Sequence, residues 1–136
     1  MYAIKAEVTN PGATSWTFMA QKTMYGGKKV SKGDQIFIFA RQNEGGSGLI
    51  AVGVVTLAEA TPRVVGVERQ TPRVSISIRR TGVAIRRLGR SELEPFTSWN
   101  DGRPETELHF KFYRQATNKI VGLSESTAAF LRSFFK

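Results

Sequence analysis

The sequence predicts an α+β fold: a small β-barrel of six or seven strands with one or two flanking helices, one of them C-terminal. Three observations carry this. Residues 2–8 and 73–79 alternate apolar with polar side chains, the period-two signature of a strand with one wet face. Residues 35–40 and 49–57 are apolar on both faces, as strands covered from two sides are. Behind Ser124, the residues Phe130, Leu131, Phe134 and Phe135 recur at helical spacing. Short strands in this number favour closure, which removes the unpaired edges of an open sheet. At 136 residues the chain suits a single domain, residues 1–136.

In chain order, residues 2–8 place Tyr2, Ile4, Ala6 and Val8 on one side and Ala3, Lys5 and Glu7 on the other, ending at Asn10-Pro11-Gly12. Residues 14–25 fit a short helix capped by Thr14 or Ser15, or a loop. Ser31-Lys32-Gly33-Asp34 is a turn into the strand at 35–40, and residues 43–48 form a glycine-rich loop. Gly53 marks a bend or close approach in the strand at 49–57. Pro62 and Pro72 bracket a connection. In residues 73–79, Val74, Ile76 and Ile78 face inward, and Arg73, Ser75, Ser77 and Arg79 outward. Thr81-Gly82 turns into a further short strand at 83–86, and residues 90–106 read as loop with at most one helical turn. Residues 108–113 and 119–123 read as two last strands joined at Thr117-Asn118, and Ser124 caps the final helix.

The charge is concentrated. The chain carries a net +9, and residues 63–90 hold eight arginines against one acid, Glu68, with no lysine. Arginine's planar fork suits bidentate phosphate contacts and stacking. The classes of partner such a field attracts are nucleic acid, anionic lipid and acidic proteins. Charges interrupt the N-terminus too early for a signal peptide, and no apolar run reaches the ~20 residues that span a bilayer. The absence of cysteine rules out disulfides, thiolate catalysis and cysteine-based zinc sites. The expectation is a cytoplasmic protein that needs no cofactor and binds no membrane.

Catalytic constellations are weak. The single histidine, His109, reads as a partly exposed strand residue with no second histidine for a metal pair. Asp34 or Asp101 could be drawn into a triad with it, but no nucleophile elbow is present. Glu92, Glu94, Asp101, Glu105 and Glu107 cluster in one stretch without calcium-loop spacing, so solvation is the better reading. Gly45-Gly46-Ser47-Gly48 lacks the Gly-Lys-Ser/Thr end of a phosphate loop; Gly26-Gly27-Lys28-Lys29 puts two lysines after flexible backbone. Trp16, Tyr25 and Trp99 fall in loop-like segments beside polar residues, where an aromatic face is placed to stack on an unpaired base.

Residues 30–40 (VSKGDQIFIFA), residues 48–55 (GLIAVGVV) and Ala60-Thr61-Pro62 together resemble the EVE domains of the PUA-like superfamily. There a Gly-Asp turn leads into an apolar strand that pairs with a glycine-bearing one. Residues 118–125 (NKIVGLSE) followed by a helix resemble the way those domains close. The resemblance implies a small barrel with flanking helices in a superfamily, with YTH and ASCH domains, that binds nucleic acid. EVE and YTH relatives are associated with recognising modified bases in aromatic-walled pockets. By position, the pocket would be built from residues 15–25, with Trp99 and Asn100 as a second wall. Where EVE domains carry an Asn/Arg-rich stretch, this chain reads MAQKTMY over residues 19–25.

The functional expectation is a non-catalytic module that binds DNA or RNA. Trp16, Gln21, Tyr25, Trp99 and Asn100 would form the base pocket, and Lys28, Lys29, Arg73, Arg79, Arg80, Arg86 and Arg87 would hold phosphates. The alternative is an enzyme or small-molecule binder that clamps an anionic metabolite in the same pocket.

Overall fold

The computed structural model describes residues 1–41, 48–98, 100–115 and 117–136. Six strands close into a barrel in the spatial order β1 (Tyr2–Ala6), β3 (Gln35–Ala40), β4 (Gly48–Ala60), β5 (Arg73–Val83), β2 (Ser15–Met24) and β6 (Lys119–Gly122). β6 seals the ring by pairing with β1 on one side and β2 on the other. β1–β3 and β2–β6 are parallel; the other pairs are antiparallel. Three α-helices complete the fold: α1 (Arg90–Leu93), α2 (Pro104–Leu108), which runs on into a π-helical turn at His109–Tyr113, and α3 (Glu125–Arg132).

The two-faced strands explain the two cores. Ile36, Ile38 and Ala40 of β3 point into the barrel, where they meet Ile4, Trp16, Phe18, Ile76, Ile78 and Ile120. Phe37 and Phe39 point the other way, into a second cluster with Leu93, Leu108, Phe112, Leu131 and Phe134 from the helices. The helices therefore cover β1, β3 and β6. The outer face of β2 and β5 carries Ser15, Thr17, Ser75, Ser77 and Arg79, with Thr17 and Ser77 hydroxyls 3.0 Å apart. Gly53 is a close approach: a Cβ there would collide with the Arg79 carbonyl. The Ser31–Asp34 turn forms, with the Ser31 N–H donating to Asp34 Oδ2 at 2.8 Å and Gly33 at φ +95°.

Four expectations are corrected. Residues 14–25 are neither helix nor loop but contain β2. Trp16 and Phe18 pair with Ile78 and Ile76, then a bulge between Phe18 and Gln21 shifts the register so that Gln21 pairs with Val74. The inward parity thus changes from even to odd within one strand, which conceals the alternation. Residues 108–113 are helical rather than a strand. Their alternation is coincidental, and the operative spacing is Leu108 to Phe112, both fully buried one turn apart. Pro104 at the first helical turn and the i,i+4 pair Glu107–Lys111 at 3.0 Å were the local signals for it. Thr81-Gly82 does not turn: β5 continues, with a shift of register against β4 at Thr81, to Val83, and residues 84–86 are not a strand. The segment 90–106, read as loop, contains α1 and the start of α2. The glycine-rich loop at residues 43–47 and Trp99 lie outside the described residues.

The C-terminal helix forms behind Ser124 as expected but ends at Arg132, so Phe134 and Phe135 lie beyond it; Phe130 is only half-buried. Ser124 Oγ accepts the Thr127 N–H, and Leu131 and Phe134 are buried. Among the described residues, no helix is long and apolar enough to cross a membrane.

Candidate functional site

The bulge in β2 organises the site. It pushes Met19 out to 69% exposure and holds Ala20 at φ +47°, in the left-handed region. An alanine there is strained, and it persists because its surroundings fix it. The Ala20 N–H donates to Ser75 Oγ at 2.9 Å, and Arg73 Nη1 donates to the Ala20 carbonyl at 2.8 Å. Gln21 folds its amide back onto the Met19 carbonyl at 2.8 Å. The bulge opens a cavity of about 440 Å³ lined by Met19, Ala20, Gln21, Lys22, Arg41, Arg73, Thr117 and Asn118. Among the described residues the lining has three cations and no carboxylate, and of these cations Arg41 is not free. Asn118, one of the lining residues, has its Oδ1 buried with no hydrogen-bond partner among the described residues. Such an atom needs a donor, and a ligand can supply one.

β1 and β6 bury two lysines side by side. Lys5 and Lys119 are register partners, each 1% exposed. Lys5 Nζ donates at 2.6 Å to the carbonyl of Phe112, at the end of the π-helical turn where backbone carbonyls lack partners, and lies 5.1 Å from the Tyr113 ring centre. Burial, then repulsion from Lys119, Arg90 and Arg41, lowers the Lys5 ammonium to about 8. Burial raises the Tyr113 hydroxyl to about 12. The Tyr113 Oη is also buried without a partner among the described residues.

The expected site residues divide. Gln21 and Arg73 line the cavity, whereas Lys28 does not and sits on an exposed 3₁₀ turn with Lys29. That turn sits tight on β6, since a Cβ on Gly27 would strike the Ile120 carbonyl. Tyr25 is exposed at φ +52° in the turn after β2, its ring 5.8 Å from Phe110 and 5.3 Å from Lys111 Nζ. Trp16 is corrected: it is a barrel residue, 9% exposed, whose Nε1 donates to the Asn10 carbonyl at 2.9 Å, so it offers no open stacking face. Asn100 sits in an exposed turn before α2 and does not line the cavity.

Two of the arginines are staples. Arg80 donates to the Gly12 and Ala13 carbonyls at 3.1 and 2.9 Å. Arg86 donates to the Ser133 carbonyl at 2.7 Å while its guanidinium lies 4.3 Å from the Phe134 ring centre, closing the end of α3. Arg87 faces Glu92 at 3.7 Å. Arg79 is exposed on β5 with no hydrogen-bond or ion-pair partner among the described residues. Sequence reasoning missed Lys22, Arg41, Thr117 and Asn118. Lys22 lay in the segment whose parity the bulge conceals, and Asn118 was read only as a turn residue.

Three acids of the acidic stretch are structural rather than solvating, while Glu94 is exposed. Asp101 caps the start of α2, accepting from the Arg103 N–H and Thr106 Oγ1, both at 3.0 Å. Glu92 Oε1 accepts the Gly89 N–H at 2.7 Å. Glu107 accepts from Ser124 Oγ at 2.6 Å, Thr127 Oγ1 at 2.7 Å and Lys111 Nζ at 3.0 Å, clamping α2 to α3. Among the described residues, no three His, Asp or Glu side chains gather where a metal ion could be held.

With this architecture in place, solved structures of the same shape can be set beside it. The DUF55 domain of human thymocyte nuclear protein 1 superposes with a TM-score of 0.64 over 97% of this chain and 96% of that one, at 11% identity. The chain has the fold of a DUF55 domain. A structure of the human THYN1 protein in complex with 5-methylcytosine-containing DNA matches with a TM-score of 0.64, covering 97% and 95% at 14% identity. A Pseudomonas putida protein matches with a TM-score of 0.61, covering 98% and 97% at 11% identity. By sequence, the chain matches no family model and no curated protein significantly. The DUF55 fold is the barrel with flanking helices that the EVE and PUA-like resemblance implied.

Proposed function

We propose that the chain is a non-catalytic nucleic-acid-binding module that takes one unpaired or flipped base into the cavity behind the β2 bulge. The observation that carries this reading is the cavity itself, lined by Lys22, Arg73, Gln21 and Asn118 with no carboxylate among the described residues, where Asn118 Oδ1 has no hydrogen-bond partner among them. A base's exocyclic amino group is a donor of the right kind, and the amide's remaining groups can read the rest of the base edge. Lys22, Arg41 and Arg73 would meet the phosphates on either side. The volume, about 440 Å³, lies within the range of small-ligand pockets. The DNA-bound human protein of the same fold supports the partner class. The strained Ala20 supports a functional use of the bulge, since strain of this kind collects at binding sites.

The test is an anisotropy screen of single- and double-stranded DNA and RNA with normal and modified bases, over a range of salt. Asn118→Ala is expected to weaken binding to the preferred base by roughly tenfold and to erode the preference itself. Binding that is indifferent to base identity in the parent and unchanged in the variant would remove the base-reading role. An anionic metabolite in this cavity would instead show a shallow salt dependence and no gain with oligonucleotide length.

A further inference from the structure

The connection from β4 to β5, residues 61–72, is far longer than the two to five residues that usually join a hairpin. It is nonetheless built. Gln70 ties it across its middle: Oε1 accepts the Val64 N–H at 2.8 Å, and Nε2 donates to the Val64 and Val67 carbonyls at 2.8 and 2.9 Å. Its foot is pinned where Thr23 donates through N and Oγ1 to the Pro72 carbonyl, at 3.0 and 2.7 Å, and where the Thr61 N–H donates to the Arg73 carbonyl at 2.8 Å. A compact loop held by its own side chains and arched over the sheet is a form often given to binding.

Under the arch lies a cavity of about 610 Å³. Its lining includes Lys22, Lys28, Arg63, Arg69 and Arg73, and no carboxylate among the described residues. Between these cations stand Pro62, Val64 and Pro72, which give it an apolar wall. Lys22, Lys28 and Arg69 have no hydrogen-bond or ion-pair partner among the described residues. Cations gathered without counter-charge beside an apolar wall suit a ligand that is anionic at one end and flat and apolar at the other. A nucleoside phosphate has that chemistry.

We propose that this cavity is a second nucleotide site. Lys28 and Arg69 hold the phosphate, and Pro62, Val64 and Pro72 receive the base or sugar. Lys22 and Arg73 line both this cavity and the one behind the bulge. On the nucleic-acid reading above, on which this strand placement rests, the occupant is the nucleotide next to the one whose base is read. The same chemistry also fits a free nucleotide, and the experiment separates the two sources.

Lys28→Ala/Arg69→Ala is compared with the parent in binding to a nucleoside monophosphate and to single strands of two to eight nucleotides. Both side chains are exposed, and unchanged melting confirms the fold. If the occupant is part of a strand, the variant loses about tenfold in oligonucleotide affinity. Its plot of log affinity against log salt flattens by roughly 0.7 per lost phosphate contact, while base preference stays intact. If the parent binds the mononucleotide but no oligonucleotide, and the variant loses that binding, the cavity is a free-nucleotide site and the nucleic-acid reading fails separately. A variant that binds every ligand as the parent does overturns the proposal, as does a parent that binds neither.

Discussion

Trp16 shows how one side chain's surroundings decide its role. Its indole fills the barrel and its N–H is satisfied by the Asn10 carbonyl. Trp16→Ala is expected to cost about 3–5 kcal/mol in chemical denaturation, the usual cost of emptying a core site of this size. Trp16→Phe keeps most of the bulk, forfeits the hydrogen bond, and should cost about 1 kcal/mol with nucleic-acid affinity unchanged. A folded Trp16→Phe that no longer bound would restore the ring to the site. Lys5 is the second case. Its folded ammonium loses its proton near pH 8, whereas an unfolded lysine keeps it to about 10.4. Between those values the unfolded state holds more protons, so stability rises with pH, by roughly 2–3 kcal/mol in all. Tyr113 acts oppositely. Its folded hydroxyl is raised to about 12, so its contribution is lost as pH climbs above about 10. Melting followed from pH 7 to 11 should rise and then fall, and Lys5→Met should flatten the rise.

At the scale of elements, Glu107 joins α2, the π-helical turn and α3 through one carboxylate. Burial alone would raise that carboxyl, but hydrogen bonds from Ser124, Thr127 and Lys111 outweigh it and hold it below its ordinary value. Its contribution is therefore present above the ordinary carboxylate pKa and disappears as pH falls through the lowered one. Glu107→Ala should cost about 2–3 kcal/mol near neutral pH and show a smaller loss on acidification, measured by melting at pH 7 and pH 3. The strands that read easily, β1, β3, residues 48–55 of β4 and the first part of β5, keep one parity or are apolar throughout. β2 did not read because a bulge changes its parity midway, and α2 did not because Leu108, Phe110 and Phe112 imitate a strand. The candidate cavity was only half legible for the same reason. Gln21 and Arg73 were named from the chemistry of their side chains. Asn118 became visible only once β6 brought residue 118 beside the bulge.

For the molecule as a whole, the arginine-rich segment resolves into separate duties. Arg80 and Arg86 hold backbone together, while Arg63, Arg69 and Arg73 face the arch and its cavity. Arg79 remains on the open face of the barrel, six residues along β5 from Arg73, a distance of about 20 Å. If nucleic acid follows that face, Arg79→Ala should weaken all sequences alike, reduce the salt slope by about one and leave base preference untouched. The measurement is a salt titration of the parent and the single variant on one matched and one mismatched oligonucleotide. An unaltered slope would confine the contact surface to the cavity end of the barrel.

The seal of the barrel has a consequence for how the chain reaches this state. Among the described residues β6 is the only strand that touches both β1 and β2, and its partners in β1 precede it by more than a hundred positions. Loop-closure entropy makes such distant pairings slow to form. While the protein is being synthesised, β3, β4 and β5 can zip onto one another, but β1 and β2 each keep an unpaired edge until residues 119–122 emerge. Until then the nascent sheet is open on two sides, and it is in that interval that a second copy's strand can take the place of its own.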